Sequence, residues 1–212
     1  MNMVRCCALF LFCASPLFGQ TLLAPNSPEM FLKTFSVIAG FALPPWSSRE
    51  SLTPGSSFTD SEVFQDQRYI GDDHEMGIWE MIPKGETFDN WTKLYAVTAE
   101  NALTGNLDTY VQGQINYYTD ICQTTVVRFP KKEPDIGAQF AIYCDSYKSD
   151  PDTGEVGFFN MQLKDETLVK NFYHIRMPSF DLSDPKKLPL NATEAWTAAA
   201  HVAVLELYPR SD

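Results

Sequence analysis

Residues typical of β-strands recur between positions 76 and 177, and from Trp91 to Ala99 they alternate between two faces. We predict six strands, at 76–83, 91–99, 124–129, 138–147, 155–163 and 168–177. Turn residues separate the last four strands, and such short connections favour antiparallel pairing. The pattern therefore predicts one mainly antiparallel sheet of about six strands.

Three segments instead have apolar residues at helical spacing. One begins near Leu103, and another follows Asn191–Glu194, which resembles a capping box, and ends before Pro209. The third covers Ser27 to Phe41, where a cap residue and an early proline precede spaced apolar residues. With the strands, this order predicts an α+β fold, a two-layer sandwich with the helices packed on one face of the sheet.

The N-terminus has the parts of a secretory signal peptide. Arg5 is followed by an apolar run and by a short region suited to cleavage. We assign 1–20 to a signal peptide, 21–59 to an N-terminal helix and a Pro/Ser-rich arm, and 60–212 to a single α+β domain. No membrane span is expected after signal removal, because the later apolar stretches are short or interrupted. The sequence thus predicts a periplasmic or secreted protein.

The charge of the chain narrows its range of partners. The formal net charge is −11, and adjacent basic residues occur only as short pairs such as Lys131–Lys132. A nucleic-acid surface needs a stripe of Lys and Arg that neutralises phosphates. We therefore expect no nucleic-acid partner, and the remaining classes are an unknown protein or an unknown small molecule.

Removal of the signal peptide leaves two of the five cysteines, Cys122 and Cys144. An even pair in an exported chain usually forms a disulfide, and two buried free thiols are the alternative. The ligand spacing of a structural zinc site is absent. We predict a Cys122–Cys144 disulfide that ties the end of a helix to the sheet.

Candidate catalytic chemistry is sparse. Asp72, Asp73, His74 and Glu75 form the densest cluster of acid/base or metal-ligating groups, but adjacent side chains diverge along an extended chain, which favours a solvated turn. The chain after residue 20 has no Gly-x-Ser-x-Gly elbow. We assign no catalytic, metal-ligating or cofactor-binding residue and expect no cofactor.

Large aromatic side chains suggest a binding groove. Such residues also fill cores, so core packing is the alternative role. The candidate groove residues are Trp79, Trp91, Tyr95, Tyr117 and Tyr118.

The segment from Trp79 to Thr92 resembles one found in small uncharacterised exported proteins of Gram-negative bacteria. The order of elements from Met76 to Pro209 is similar to that of PsbP/Mog1-like domains. This resemblance implies a periplasmic location and an α/β sandwich, and it transfers no catalytic residue.

Three functional hypotheses follow. The leading one is an exported, non-enzymatic binding or accessory module. The second is a small metal-dependent or hydrolytic enzyme that uses the Asp72–Glu75 cluster. The third is a carrier of an apolar small molecule, motivated by Phe158, Phe159 and the many tyrosines.

Overall fold

The structure is a computed structural model that describes residues 25–53, 57–69, 75–101, 105–133, 137–183 and 188–210. The predicted signal peptide lies outside these residues and stays a prediction. The helices within the described ranges are too short and too polar to cross a membrane.

The described chain consists mainly of strands, with two α-helices and a 3-10 turn at Arg49–Ser51. In chain order its elements are β1 (Met30–Lys33), β2 (Val37–Phe41), β3 (Leu52–Thr53), β4 (Ser57–Phe58), β5 (Ser61–Tyr69), β6 (Glu75–Pro83), β7 (Lys93–Asn101), α1 (Leu107–Ile121), β8 (Thr125–Glu133), β9 (Gly137–Cys144), β10 (Thr153–Lys164), β11 (Thr167–Pro178), α2 (Ala192–Ala203) and β12 (Leu205–Pro209).

The largest unit is a seven-stranded antiparallel sheet with the spatial order β5-β6-β7-β11-β10-β9-β8. The six strands that the sequence predicts correspond to β6–β11, so the α+β class with a mainly antiparallel sheet is confirmed. The seventh strand, β5, was not predicted. A second sheet has the order β1-β2-β12, and β3 and β4 form a short hairpin.

Side chains along β10 alternate between the two faces of the seven-stranded sheet. Val156 and Phe158 face α2, whereas Phe159 and Met161 face α1. The helices therefore lie on opposite faces, which corrects the prediction of two layers with both helices on one face. The sheet is the middle of three layers. A strand that is covered on both faces has a nearly continuous run of apolar residues, and such a run does not indicate which helix packs on which face.

Both helices begin with the caps that their sequences provide. At α1, the Asn106 side chain accepts from the main-chain N–H of Thr109 at 3.0 Å. At α2, Asn191 and Glu194 form the predicted capping box. The second helix ends at Ala203 rather than just before Pro209, because the chain then continues as β12 with buried Leu205 against β2.

The predicted N-terminal helix is wrong, because residues 30–41 form β1 and β2. Val37, Ala39 and Phe41 alternate toward the α2 face and join its core. A Cβ at Gly40 would lie 3.0 Å from atoms of Phe31 and Pro28, so glycine allows this close packing. Residues 30–41 therefore contribute to the core and do not form a loose arm before the sheet.

The predicted pairing of Cys122 and Cys144 is confirmed as a disulfide, with a Cα–Cα distance of 5.5 Å. Cys122 follows directly after α1, and Cys144 ends β9. Both residues are buried. The bond therefore fixes the C-terminal end of α1 on the sheet.

Candidate functional site

A polar cavity with buried charged groups lies where β10 begins and β11 ends, beside the last turn of α1. We call it the end-of-sheet cleft; its volume is about 880 Å³. The turn before β7 and the loop between β9 and β10 complete its walls. Its inner surface includes Trp91, Tyr118, Tyr147, Glu155, His174 and Arg176.

Glu155 forms the floor of the cleft and is only 3% exposed. The Tyr118 hydroxyl donates to its Oε1 at 2.5 Å, and the Tyr147 hydroxyl donates to its Oε2. A buried carboxylate is costly unless its oxygens accept hydrogen bonds. The two phenols supply those bonds, so the charge can stay inside the protein.

The sheet register brings the other charged groups to Glu155. Arg176 and Cys144 lie opposite Glu155 on the two neighbouring strands. His174 lies opposite Gly157, where a Cβ would be 2.8 Å from the Phe159 ring and 3.2 Å from His174. Glycine at this position therefore lets the imidazole pack close to the floor of the cleft.

His174 contacts both members of the Tyr118–Glu155 pair. Its Nδ1 is 3.3 Å from Glu155 Oε1, and its Nε2 is 3.3 Å from the Tyr118 hydroxyl. Because the phenol hydrogen goes to Glu155, the second contact is a hydrogen bond only when Nε2 carries a proton. A neutral imidazole has one N–H and can satisfy only one of the two contacts. Burial lowers the pKa of His174, although Glu155 opposes the shift.

Arg176 places its guanidinium on an aromatic wall. The guanidinium carbon is 3.7 Å from the ring centroid of Trp91, and Nε is 3.9 Å from Glu155 Oε2. The main-chain N–H of Arg176 also donates to Thr92 O at 2.9 Å, which fixes β11 beside the turn that carries Trp91. The result is a cation held between a ring face and a carboxylate.

Burial and the nearby charge of Glu155 raise the pKa of both cleft phenols, Tyr118 and Tyr147. They therefore keep their protons at neutral pH and act as hydrogen-bond donors. The main chain of Cys122 contacts both residues, since Cys122 N–H donates to Tyr118 O at 2.9 Å and Cys122 pairs with Tyr147 in an isolated bridge.

The rim of the cleft is acidic and aromatic. Asp89, Asp150 and Asp152 lie there, and all three are exposed. Tyr117 on α1 is 57% exposed, and its ring packs edge-on against Tyr118 at 5.7 Å. The cleft thus combines an accessible aromatic ring with carboxylates around a rigid, hydrogen-bonded floor.

The structure separates the predicted groove residues. Trp91, Tyr117 and Tyr118 line the end-of-sheet cleft. Tyr95 is completely buried in the core of the α2 face, where its hydroxyl accepts from Asn171 Nδ2 at 3.1 Å. Trp79 lies on that same face of β6, beside Gly77. Neither of these two residues lines the cleft.

Sequence reasoning missed Glu155, His174, Arg176 and Tyr147. One local signal was present, because His174 and Arg176 are two residues apart and therefore share a face of a strand. Their meeting with Glu155 depends on the pairing of β10 with β11. That register cannot be read from residue spacing alone.

The Asp72–Glu75 cluster lies outside the described residues except for Glu75, whose N–H donates to Asn101 Oδ1 at 2.7 Å. The described residues contain no group of three or more His, Cys, Asp or Glu that could hold a metal. The metal-dependent or hydrolytic alternative based on this cluster stays a prediction.

A second, more apolar groove lies on the other face, beside the N-terminal end of α2. We call it the α2 groove; its volume is about 760 Å³. Tyr173 and Ile175 of β11 form part of its wall, together with Leu190 and Trp196. Trp196 is 59% exposed, which is unusual for so large an apolar side chain.

Together, the fold and the cleft define an α+β protein whose antiparallel sheet carries an aromatic, acidic cleft at one end. The chain matches no protein-family model, no curated protein and no solved structure. Its function must therefore be argued from the geometry of its own residues.

Proposed function

We propose that this protein is an exported, non-enzymatic binding module that holds its ligand in the end-of-sheet cleft. The observation that carries the proposal is the buried Glu155 network at the floor of a cleft of about 880 Å³ with aromatic walls. Ligand sites are typically concave, of roughly 300–1,000 Å³, with a few convergent polar groups on an apolar lining.

The protonation and the hydrogen bonds of the two cleft tyrosines support binding rather than acid–base chemistry. Tyr118 and Tyr147 have raised pKa values, and their hydroxyls already donate to Glu155. The disulfide and the packing of α1 hold these donors in place. Such a network forms a rigid floor, and rigid support of this kind is what a specific binding site requires.

Two features support the export part of the proposal. The first 20 residues have the pattern of a signal peptide, and Cys122 and Cys144 are bonded. Disulfides persist mainly in oxidising compartments such as the bacterial periplasm or the extracellular space. The resemblance of Trp79–Thr92 to a segment of small exported proteins of Gram-negative bacteria, which stays a prediction, points the same way.

A fragment screen followed by NMR tests the binding proposal. Fragments that bind should shift the indole N–H of Trp91 and the ring protons of His174, both in the cleft. Tyr117→Ala should weaken aromatic fragments by up to about tenfold, because a pair of aromatic rings contributes about 0.5–1.5 kcal/mol beyond its buried area.

Trp196→Ala is the matched control, because it removes an equally exposed aromatic ring from the opposite face. It should leave binding at the cleft unchanged. Two results would contradict the proposal. In one, Trp196→Ala weakens the binding of the fragments and Tyr117→Ala does not, and in the other no fragment shifts the Trp91 signal.

A second candidate function is a carrier of an apolar small molecule, and the α2 groove is the observation that favours it. Phe158 and Phe159, which motivated this hypothesis, are both buried in cores on opposite faces of the sheet. The α2 groove instead offers the exposed Trp196 ring. Native mass spectrometry of the purified protein should then show an apolar molecule that Trp196→Ala removes, and an unloaded protein would count against this function.

A further inference from the structure

The end-of-sheet cleft has an uneven distribution of charge. Its lining contains four carboxylates, those of Asp89, Asp150, Asp152 and Glu155, and one guanidinium, that of Arg176. His174 adds little positive charge at neutral pH, because burial lowers its pKa. The described lining is therefore net negative, as the chain is as a whole.

The positive charge of Arg176 interacts with groups of the cleft itself. Its guanidinium lies against Trp91 and close to Glu155, at 3.7 Å from the ring centroid and 3.9 Å from Oε2. The charge of the buried carboxylate is thus compensated within the protein. The excess negative charge is that of the rim, from Asp89, Asp150 and Asp152.

The accessible aromatic surface lines the same cleft as this rim. Tyr117 projects from α1 with more than half of its surface exposed, and its ring packs against Tyr118, whose hydroxyl donates to Glu155. An aromatic face beside carboxylates is the arrangement that recognises organic cations, because both attract positive charge. The packing of Arg176 on Trp91 is an internal example of the same preference.

We propose that the ligand of the end-of-sheet cleft is a small organic cation, with an ammonium or guanidinium group at the acidic rim and an apolar body against Tyr117. This inference rests on the proposed binding function and specifies its ligand class. The cleft volume of about 880 Å³ fits a small molecule better than an extended protein segment.

Three probes with the same phenol body separate the charge classes: tyramine carries an ammonium, tyrosol a hydroxyl and 3-(4-hydroxyphenyl)propionate a carboxylate. Each is titrated into the full mature protein, and binding is followed at the Trp91 indole N–H. Tyramine should bind at least about tenfold more tightly than tyrosol at low salt, and the difference should shrink at high salt because exposed charges are screened. The propionate should bind more weakly than tyrosol.

The double variant Asp150→Asn/Asp152→Asn tests the role of the rim. Asparagine at 150 keeps the Oδ1 that accepts from the Asp152 N–H at 3.3 Å, so the loop retains its turn. The preference for tyramine over tyrosol should fall by more than half, while the affinity for tyrosol should stay the same. Glu166→Gln is the matched control, because it removes an exposed carboxylate from the far end of the β10–β11 hairpin.

Several outcomes would overturn the inference and leave the binding function standing. In the first, tyrosol or the propionate binds at Trp91 as tightly as tyramine or more tightly. In the second, none of the three probes binds, although other fragments shift the Trp91 signal. Tighter binding of a blocked peptide with one internal lysine would overturn the small-molecule assignment. If no compound of any class shifts Trp91, the binding function itself fails.

Discussion

The two faces of the seven-stranded sheet use buried polar side chains in different ways. On the α1 face, Glu155, Tyr118 and His174 bond to one another at the end of an open cleft. On the α2 face, a row of polar side chains on β10 bonds to main-chain carbonyls. Asn160 donates to Ala203 O at 3.2 Å, and the next two side chains on that face, Gln162 and Lys164, donate to Leu205 O and Leu207 O, each at 2.8 Å.

This difference separates a structural role from a candidate functional one. Main-chain carbonyls are present in every sequence, so side chains that bind them fix the position of a segment, here the one from Val202 to Leu207. A side-chain network creates a particular chemical surface, and at Glu155 that surface opens to solvent. The comparison therefore directs functional experiments to the α1 face and stability experiments to both faces.

The largest effect is expected from the disulfide beside the α1 face. Cys122→Ala/Cys144→Ala should lower the free energy of unfolding by about 3 kcal/mol, because it removes a constraint across 22 residues of the unfolded chain. Urea unfolding measures this loss.

Reductant should destabilise the wild-type protein by a similar amount and should not affect the double variant. Two reactive thiols in the unfolded, unreduced mature protein would show that the bond does not form.

Asn171→Leu should cause the next largest loss, on the α2 face. Asn171 is completely buried, and its Nδ2 shares its two hydrogens among Tyr95 Oη, Val202 O and Val204 O. The variant leaves these acceptors unsatisfied, which should cost about 2 kcal/mol of unfolding free energy.

The NMR signals of Trp91 should stay unchanged in this variant, because the α1 face is intact. The exposed control Gln112→Ala on α1 should change stability by less than about 0.5 kcal/mol. A large shift at Trp91 in Asn171→Leu would show that the two faces are coupled.

Glu155→Gln should have a smaller effect on stability but a clear local one. The amide nitrogen of glutamine cannot accept from a phenol, so Tyr118 or Tyr147 loses its acceptor, at a cost of about 1 kcal/mol. The indole signal of Trp91 should also shift, because Arg176 loses its counter-charge.

Glu206→Gln is the solvent-exposed counterpart, since Glu206 also accepts from a tyrosine hydroxyl, that of Tyr208. Its cost should be below about 0.5 kcal/mol, as for other exposed pairs. Equal costs in the two variants would remove the distinction between the buried network and a surface contact.

The smallest expected effect is a pH dependence to which one histidine on each face contributes. Burial lowers the pKa of His174 and of His201 from 6.5. The folded state thus binds fewer protons than the unfolded state in the range just below pH 6.5. Stability should be complete above that pH and should decrease as the pH falls through it.

Urea unfolding at a series of pH values measures this slope. His174→Gln and His201→Gln should each reduce it, and a slope that is unchanged in both variants would mean that other groups cause it.

Local sequence signals predicted a large part of this fold. The predicted features depend on residues that are close in sequence. They are the capping box at Asn191, the spacing of Val111 and Tyr118 in α1, and the strands from β6 to β11. The disulfide was predicted because compartment and cysteine count limit the pairings. The edge strand β5 was missed because Glu62, Gln65 and Asp66 make its sequence polar.

The missed features depend on contacts between distant residues. β2 has the apolar residues of a helix, and its pairing with β1 and β12 makes alternate residues face the core. Likewise, Trp91, Tyr117 and Tyr118 were recognised as candidate groove residues from their type alone, whereas Glu155 and His174 meet through the register of β10 and β11. Spacing along the chain contains no information on that register.

The pairing of β2 with β12 also sets an order of folding. Phe41 lies opposite Leu205, so the second sheet joins strands from near the two ends of the described chain. Such long-range contacts form slowly, because the whole intervening chain must first be brought together. A polypeptide that emerges N-terminus first cannot complete this sheet until its last residues arrive.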